Sequence, residues 1–308
     1  MGKETLNIEK NNLIKNSSKS DIDPWSSEIV VRPFLRWVGG KTWFLKEISQ
    51  FSLENINNYY EPFVGGGSVF FYLSQIGKLR NKVVLSDINK ELIDCYIQLR
   101  DNVEDVIKHL QNYKNEEYVY YSIRGLTPSS DSEAAAKFIY LNRTSFNGIY
   151  RVNLNGVYNV PYGFKNYTEL FDYNNLRRVS EVLAGINIIH RDFQAVLSEI
   201  LEGDLVFLDP PYTVAHDNNG FIKYNQKLFA WSDQERLKET VKLIAEKGAY
   251  FILTNAANPS INTLFGSVGT QIQLSRYSVI GGKKAKRGII NEYVFSNITA
   301  SKKEKCYG

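Results

Sequence analysis

Four consecutive residues carry the strongest chemical signal in this chain: Asp209, Pro210, Pro211 and Tyr212, directly after the apolar run 205–208. A short apolar run closed by a turn reads as a buried strand, and open α/β sheets bind ligands at the carboxyl ends of their strands. The prolines fix φ and donate no hydrogen bond, so the loop is stiff and its carbonyls are free to accept. A carboxylate, a carbonyl and an aromatic ring in that setting suit a planar group bearing NH2. The acceptors take its two hydrogens and the ring stacks on its face. The exocyclic amines of adenine and cytosine have that shape. A strand ending in a proline turn, with no ligand, fits the same four residues.

A second group of residues suits a nucleoside cofactor. Gly65, Gly66 and Gly67 lie between the strand-like start of 59–68 and the apolar stretch 69–73, and glycine allows close backbone approach to a ligand. The spacing is not G-x-G-x-x-G and no Walker lysine follows, so a pyrophosphate is not the expected ligand. Asp87 closes the next strand, 82–86. An acid there takes the two ribose hydroxyls in nucleotide-binding sheets. A glycine loop and a ribose acid without a phosphate cradle point to a nucleoside cofactor such as S-adenosylmethionine. For Asp87 alone, a helix N-cap before Ile88, Asn89 and Lys90 is the competing reading.

These residues need a scaffold, and the chain supplies an alternating one. Strand signals at 186–189, 205–208, 249–254 and 292–295 follow helical stretches, the pattern of a mostly parallel sheet. Ordered sequence is expected from about residue 30, where 33–41 leads into the amphipathic stretch 42–51, and a helix is expected over 89–102. Residues 103–175 are rich in tyrosine and asparagine, with little strand periodicity, and read as an insertion. With 308 residues, 43% hydrophobic and 23% charged, the composition is that of a water-soluble globular protein. Net charge of +4 is only a mild lean toward polyanions. Two distant cysteines, three histidines and scattered acids give no disulfide framework and no metal constellation. A reducing cytoplasm is the expected compartment, with no signal peptide and no membrane span.

With both groups of motifs in view, the chain resembles the Dam-type (D12 class, alpha group) DNA adenine-N6 methyltransferases. Arg36-Trp37-Val38-Gly39-Gly40-Lys41 is similar to that family's opening motif, 61–70 to its main cofactor motif, and Asp87-Ile88-Asn89 to its ribose acid. Residues 138–148 and 159–163 are similar to its recognition segment, and Asp209 to Tyr212 to its catalytic motif. The resemblance runs in order from about 33 to 295. It implies a Rossmann-like S-adenosylmethionine-dependent α/β fold with an inserted, mainly helical target-recognition domain carrying a β-hairpin. The implied division is a polar arm over 1–29, catalytic parts over 30–102 and 176–298, a recognition domain over 103–175, and a polar tail over 299–308. Trp37, Lys41, Phe63, Gly65, Gly67, Asp87 and Asp209 would line the cofactor pocket, with Asp192 and Phe193 against its adenine. The implied partner is double-stranded DNA, the implied state a monomer, with a restriction enzyme as a conceivable companion and association with the nucleoid through DNA. Cytosine-N4 transfer, or a DNA-binding protein of the same fold without catalysis, are the rival readings.

Basic and amide side chains crowd 142–167: Arg143, Arg151 and Lys165 among Asn147, Asn153, Asn155, Tyr158 and Pro161. Basic groups contact phosphates while asparagine and arginine read base edges. Asn155-Gly156 is a two-residue hairpin signal within 151–158. The resemblance makes this hairpin, with Leu154 and the preceding Arg36, the DNA reader. Several GATC-specific members carry a basic residue where this chain has Asn155, whose short neutral side chain makes no bidentate guanine contact. That argues against GATC as the target. The basic run 283–287, including Lys283 and Lys284, is a candidate phosphate contact, and the aromatics of 221–231 a candidate flap over the base. A solvated surface explains the first equally, and core packing the second.

Overall fold

Residues 31–153, 155–213, 229–277 and 289–298 are described by the computed structural model. The polar arm 1–29, the tail 299–308, Leu154, Lys283, Lys284 and residues 221–228 of the expected flap lie outside the described residues. In chain order the elements are β1 (Tyr59–Glu61), α1 (Ser68–Gln75), β2 (Val83–Asp87), α2 (Lys90–Asp101), α3 (Val103–Gln111), α4 (Glu117–Gly125), α5 (Asp131–Thr144) and α6 (Tyr173–Leu183). They continue with β3 (Asn187–His190), β4 (Leu205–Leu208), α7 (Trp231–Glu246), β5 (Tyr250–Ala256), α8 (Pro259–Phe265), β6 (Thr270–Tyr277) and β7 (Ile289–Ser296). The amphipathic stretch 42–51 forms two short 3-10 turns, Lys41–Lys46 and Ile48–Gln50.

All four residues of β4 are buried because the strand is central and covered on both faces. The sheet order is β3-β2-β1-β4-β5-β7-β6, with β1 to β5 parallel and β7 antiparallel to both its neighbours. Alternation along the strands sorts side chains between two cores. Tyr59, Leu85, Leu205, Phe207, Ile252 and Val294 face one core, shared with α1, α2, α3, α5 and α6. Tyr60, Val84, Val206, Leu208, Phe251, Leu253 and Phe295 face the other, under α7 and α8. The helices between β2 and β3 therefore bury their apolar stripes in the same core as the sheet. β6 goes beyond the strands read from the sequence. Its alternation of Ile272 and Leu274 with Gln271, Gln273 and Ser275 is the period-two signal that marks it.

The strand order reverses between β1 and β4, whose carboxyl ends carry the glycine loop and Asp209 respectively. That reversal opens a crevice where ligands bind. The segment entering this crevice, 31–36, belongs to no helix or strand, and three amide side chains hold it instead. The Val31 N–H donates to Gln75 Oε1 (2.9 Å) and the Gln75 amide returns a bond to Val31 O (2.8 Å). Arg32 makes the same reciprocal pair with Asn175 (2.9 and 2.9 Å), and Arg36 with Asn142 (2.8 and 2.9 Å). Asn142 also donates to Gly148 O at 3.1 Å, so one buried amide ties the entry segment to the end of α5. Removing that side chain strands buried backbone donors and acceptors, at about 1–3 kcal/mol. Asn142→Ala should lower the unfolding free energy by that amount in urea denaturation; an unchanged midpoint would show the clamp to be idle.

Candidate active site

Asp209 sits one residue past β4, with its side chain 19% exposed toward the crevice. Its Oδ1 accepts from Lys41 Nζ at 2.6 Å and from the Thr254 hydroxyl at 2.8 Å. Thr254 is on the neighbouring strand β5. Lys41 is almost fully buried, bonds Gly39 O at 2.8 Å, and stands 5.0 Å from the centroid of the Tyr212 ring. Burial raises the Asp209 carboxyl above the ordinary carboxylate range, and Lys41 opposes that rise. The opening motif and the proline loop, more than 160 residues apart, thus meet at one ion pair.

The glycine loop follows β1. Gly65 and Gly67 adopt φ of 47° and 67°, a region that favours glycine. A Cβ on Gly65 would stand 2.6 Å from Trp37 Cδ1, and one on Gly67 2.7 Å from the Tyr96 hydroxyl. The Gly65 N–H donates to Asp87 Oδ2 at 3.2 Å, binding the loop to the end of β2. Burial pushes the Asp87 carboxyl up to about 6, against bonds from the N–H groups of Asn89 and Gly65. The cap of α2 is Asn89, whose side chain accepts from the Leu92 N–H. Asp87 is therefore not the helix cap, and its competing structural reading falls away. Ile88 beside it is 63% exposed at the crevice end of β2, a large apolar side chain that sequence reasoning passed over.

Phe63 and Phe193 stack at 5.2 Å with Phe229 against both rings, so these cofactor candidates come together at the other flank. Phe229, read as part of a flap, is core. The Asp192 carboxylate caps the 3-10 turn Phe193–Ser198 and accepts from Arg236 at 2.9 Å. Arg236 also lies over the Phe193 ring at 4.9 Å.

A third carboxyl lies beneath the site. Glu61, wholly buried at the end of β1, accepts from the Tyr59 hydroxyl at 2.7 Å. Burial raises its pKa to about 8, with Asp209 and Asp87 adding to the rise. Such a carboxyl holds its proton more tightly in the folded chain, so stability falls as pH climbs from about 4.5 to about 8.

The recognition candidates divide. Trp37 stacks on Tyr150 at 5.9 Å and on Phe138 at 6.5 Å, joining the glycine loop to the segment after α5. Asn147 is exposed in the left-handed region with φ of 58°, and Pro161 is exposed while its carbonyl accepts from Phe146. Arg36 and Arg143 approach the Tyr167 ring at 5.7 and 4.3 Å, forming a basic cluster with Lys165, whose ammonium is disfavoured by burial first and then by both arginines. The Arg143 guanidinium bonds Leu170 O and Glu169 O, which pins it. Tyr158 points inward, its hydroxyl donating to Ile149 O at 2.8 Å; its place is structural. Arg151 is exposed and bonds Asn159 across the hairpin.

The hairpin turn differs from expectation. Asn153 N–H donates to Val157 O and Gly156 N–H to Asn153 O, leaving three residues between the paired positions instead of two. Gly156, at φ 74°, takes the left-handed place that such a loop requires. The Asn153 side-chain oxygen closes the tip on the N–H groups of Asn155 and Val157, which selects the longer turn. Asn155 is exposed at that tip. Among the described residues no group of His, Cys, Asp and Glu could hold a metal ion, and no helix is long and apolar enough to cross a membrane.

A mostly parallel α/β sheet with an acid-tipped proline loop and a glycine turn at its switch point has the layout in which such sheets bind ligands. Residues 37–279 match the family model of D12 class N6 adenine-specific DNA methyltransferases, and the chain belongs to that family. It is 35% identical over 283 residues to the Type II methyltransferase M1.LlaDCHI of Lactococcus lactis subsp. cremoris, covering 88% of this chain and 97% of that one. It is 36% identical to M.MjaIII of Methanocaldococcus jannaschii over 74% of this chain and 85% of that one. The DNA adenine methylase of Haemophilus influenzae is 29% identical over 72% of this chain and 78% of its own. Membership of that family makes the reaction adenine-N6 methylation of DNA, in place of the cytosine-N4 alternative. Glu61→Gln should flatten the stability decline between about pH 6 and 8, above the range that Asp87 sets, and exceed the wild type at pH 8, in urea titrations; parallel pH profiles would contradict the buried-acid assignment.

Proposed function

We propose that the chain transfers the methyl group of S-adenosylmethionine to N6 of an adenine turned out of a short duplex DNA motif, acting as a monomer. The single observation that supports the cofactor is the charge of the crevice. Glu61, Asp87 and Asp209 are enclosed around it, and Lys41 is the cation paired there with Asp209. Burial raises the pKa of all three carboxyls, and a ligand bearing a sulfonium and an ammonium would favour their ionised forms. Asp87 would hold the ribose hydroxyls, the backbone of Gly65 to Gly67 would lie along the cofactor, and Phe63, Phe193 and Ile88 would enclose its adenine. When bound, that cofactor supplies an electrophilic methyl group.

The target amine would enter beside Asp209. The lone pair of adenine N6 is delocalised into its ring, so nitrogen is a poor nucleophile. Bonds from its two hydrogens to Asp209 and the Pro210 carbonyl favour a tetrahedral nitrogen and localise the pair. In-line alignment at near-attack distance then lowers the barrier. Asp209 is too weak a base to deprotonate the amine beforehand. It stabilises positive charge developing on nitrogen, and the proton leaves afterwards. Lys41 and Thr254 both bond Oδ1 of Asp209, so the incoming amine would meet the other carboxylate oxygen, Oδ2. Tyr212 stacks on the base, contributing on the order of 1–3 kcal/mol, against the few kcal/mol of unstacking.

The segment 103–175 would carry target recognition. Arg151, Asn155 and Pro161 on the exposed hairpin side and Asn147 beside it would meet base edges, while Arg36, Arg143 and Lys165 would face phosphate. Asn155 at the tip favours a target other than GATC. The Type II names of two relatives support a restriction–modification setting. Long-read modification sequencing of plasmid DNA from cells expressing the chain, beside Asp209→Ala, tests this reading. N6-methyladenine at one short motif is expected, absent in the variant, which should still bind DNA. Unchanged methylation by Asp209→Ala would overturn the mechanism.

A further inference from the structure

The two ends of the Asp209–Tyr212 loop are fastened to different strands. Thr254 of β5 holds Asp209 (2.8 Å), and at the other end the Tyr212 hydroxyl donates to Glu292 Oε2 at 2.5 Å. Glu292 is completely buried on β7, opposite Ala256 at the carboxyl end of β5. Its second oxygen, Oε1, accepts from Arg276 Nε at 2.5 Å. Arg276 lies on β6 opposite Ile290, which makes it the diagonal neighbour of Glu292 on the same face of the ladder. Its guanidinium stands 5.7 Å from the Trp43 ring, two residues beyond Lys41.

A buried ion pair contributes little net stability, because desolvation opposes the attraction. A chain that keeps an acid at zero exposure inside an apolar strand therefore has another use for it. Among the described residues, the aromatic hydroxyl that bonds Glu292 belongs to the residue whose ring the target base would stack upon. We propose that Glu292, held by Arg276, is a positioning residue for Tyr212: it fixes the phenol and so sets the plane of the ring that receives the target base. The proposal rests on the functional reading above, in which Tyr212 stacks on the flipped base. Glu292 touches neither base nor cofactor; it acts through the phenol. The Tyr212 ring, which could otherwise rotate about its side-chain bonds, is preorganised before the base arrives.

The test uses the full chain, tritiated S-adenosylmethionine and methylation-free plasmid DNA, with kcat expressed per cofactor-binding site counted by calorimetry. Glu292→Ala should lower kcat about tenfold, within the range that base stacking supplies, with cofactor affinity unchanged within about twofold. Glu292→Gln, whose amide still reaches the phenol oxygen, should recover most of that loss. Tyr212→Phe should lower kcat as Glu292→Ala does, and the double variant should be no slower than the slower single one. A purely structural role would reduce the number of binding-competent molecules and leave kcat per site intact. Multiplying effects in the double variant, or wild-type kcat in Glu292→Ala, would overturn the proposal. Tyr212→Phe decides the matter if Glu292→Ala does not fold, since wild-type kcat there removes any role for the phenol. A wild-type chain that binds the cofactor and methylates nothing would overturn the functional reading and the proposal with it.

Discussion

The ion pair between Lys41 and Asp209 is the interaction around which the site is built. It joins the first motif of the chain to the last, where the order of the parallel strands reverses between β1 and β4. Its setting is electrostatically unbalanced, since Asp87 and Glu61 lie close by, both with pKa values raised by burial. Burial disfavours the ionised form of each of these carboxyls. The strain of the arrangement is carried by packing elsewhere: two apolar cores cover both faces of the sheet, and the central strand has no exposed side chain. Stability lives in those layers, which leaves the crevice residues free to be chosen for chemistry.

The same logic explains how the recognition side is coupled to the cofactor side. Segment 31–36 has no ladder of its own, and three reciprocal amide pairs replace one. Trp37, next in sequence, fills the space that glycine leaves at position 65 and stacks on Tyr150, which leads into the hairpin. The Tyr150 hydroxyl in turn donates to Glu91 at the start of α2. A short run of aromatic contacts thereby links the hairpin to the glycine loop.

The parts legible in the sequence were those written in adjacent residues. The run 205–208 became β4 without shift, and the glycine loop follows β1 while Asp87 closes β2, as the spacing required. Asp87 was ambiguous because an acid two places before a helix reads equally as a cap, and only the Asn89 bond to Leu92 separates the two. The hairpin was expected from Asn155-Gly156, yet its turn is longer because the Asn153 side chain closes the tip, a choice that dipeptide statistics do not contain. Thr254, Glu292, Asn142 and Asn175 carried no local signal, since each acts on a partner at least 45 residues away or on a backbone group without motif. One clue was available: a charged Glu292 inside the apolar strand 289–296 is costly unless paired.

Nucleoside mass spectrometry of DNA incubated with the purified chain and S-adenosylmethionine carrying a trideuterated methyl group tests the central claim most directly. The account predicts the labelled methyl on N6-methyldeoxyadenosine, with no labelled N4-methyldeoxycytidine. Label on cytosine, or none on DNA while the cofactor is demonstrably bound, would contradict it.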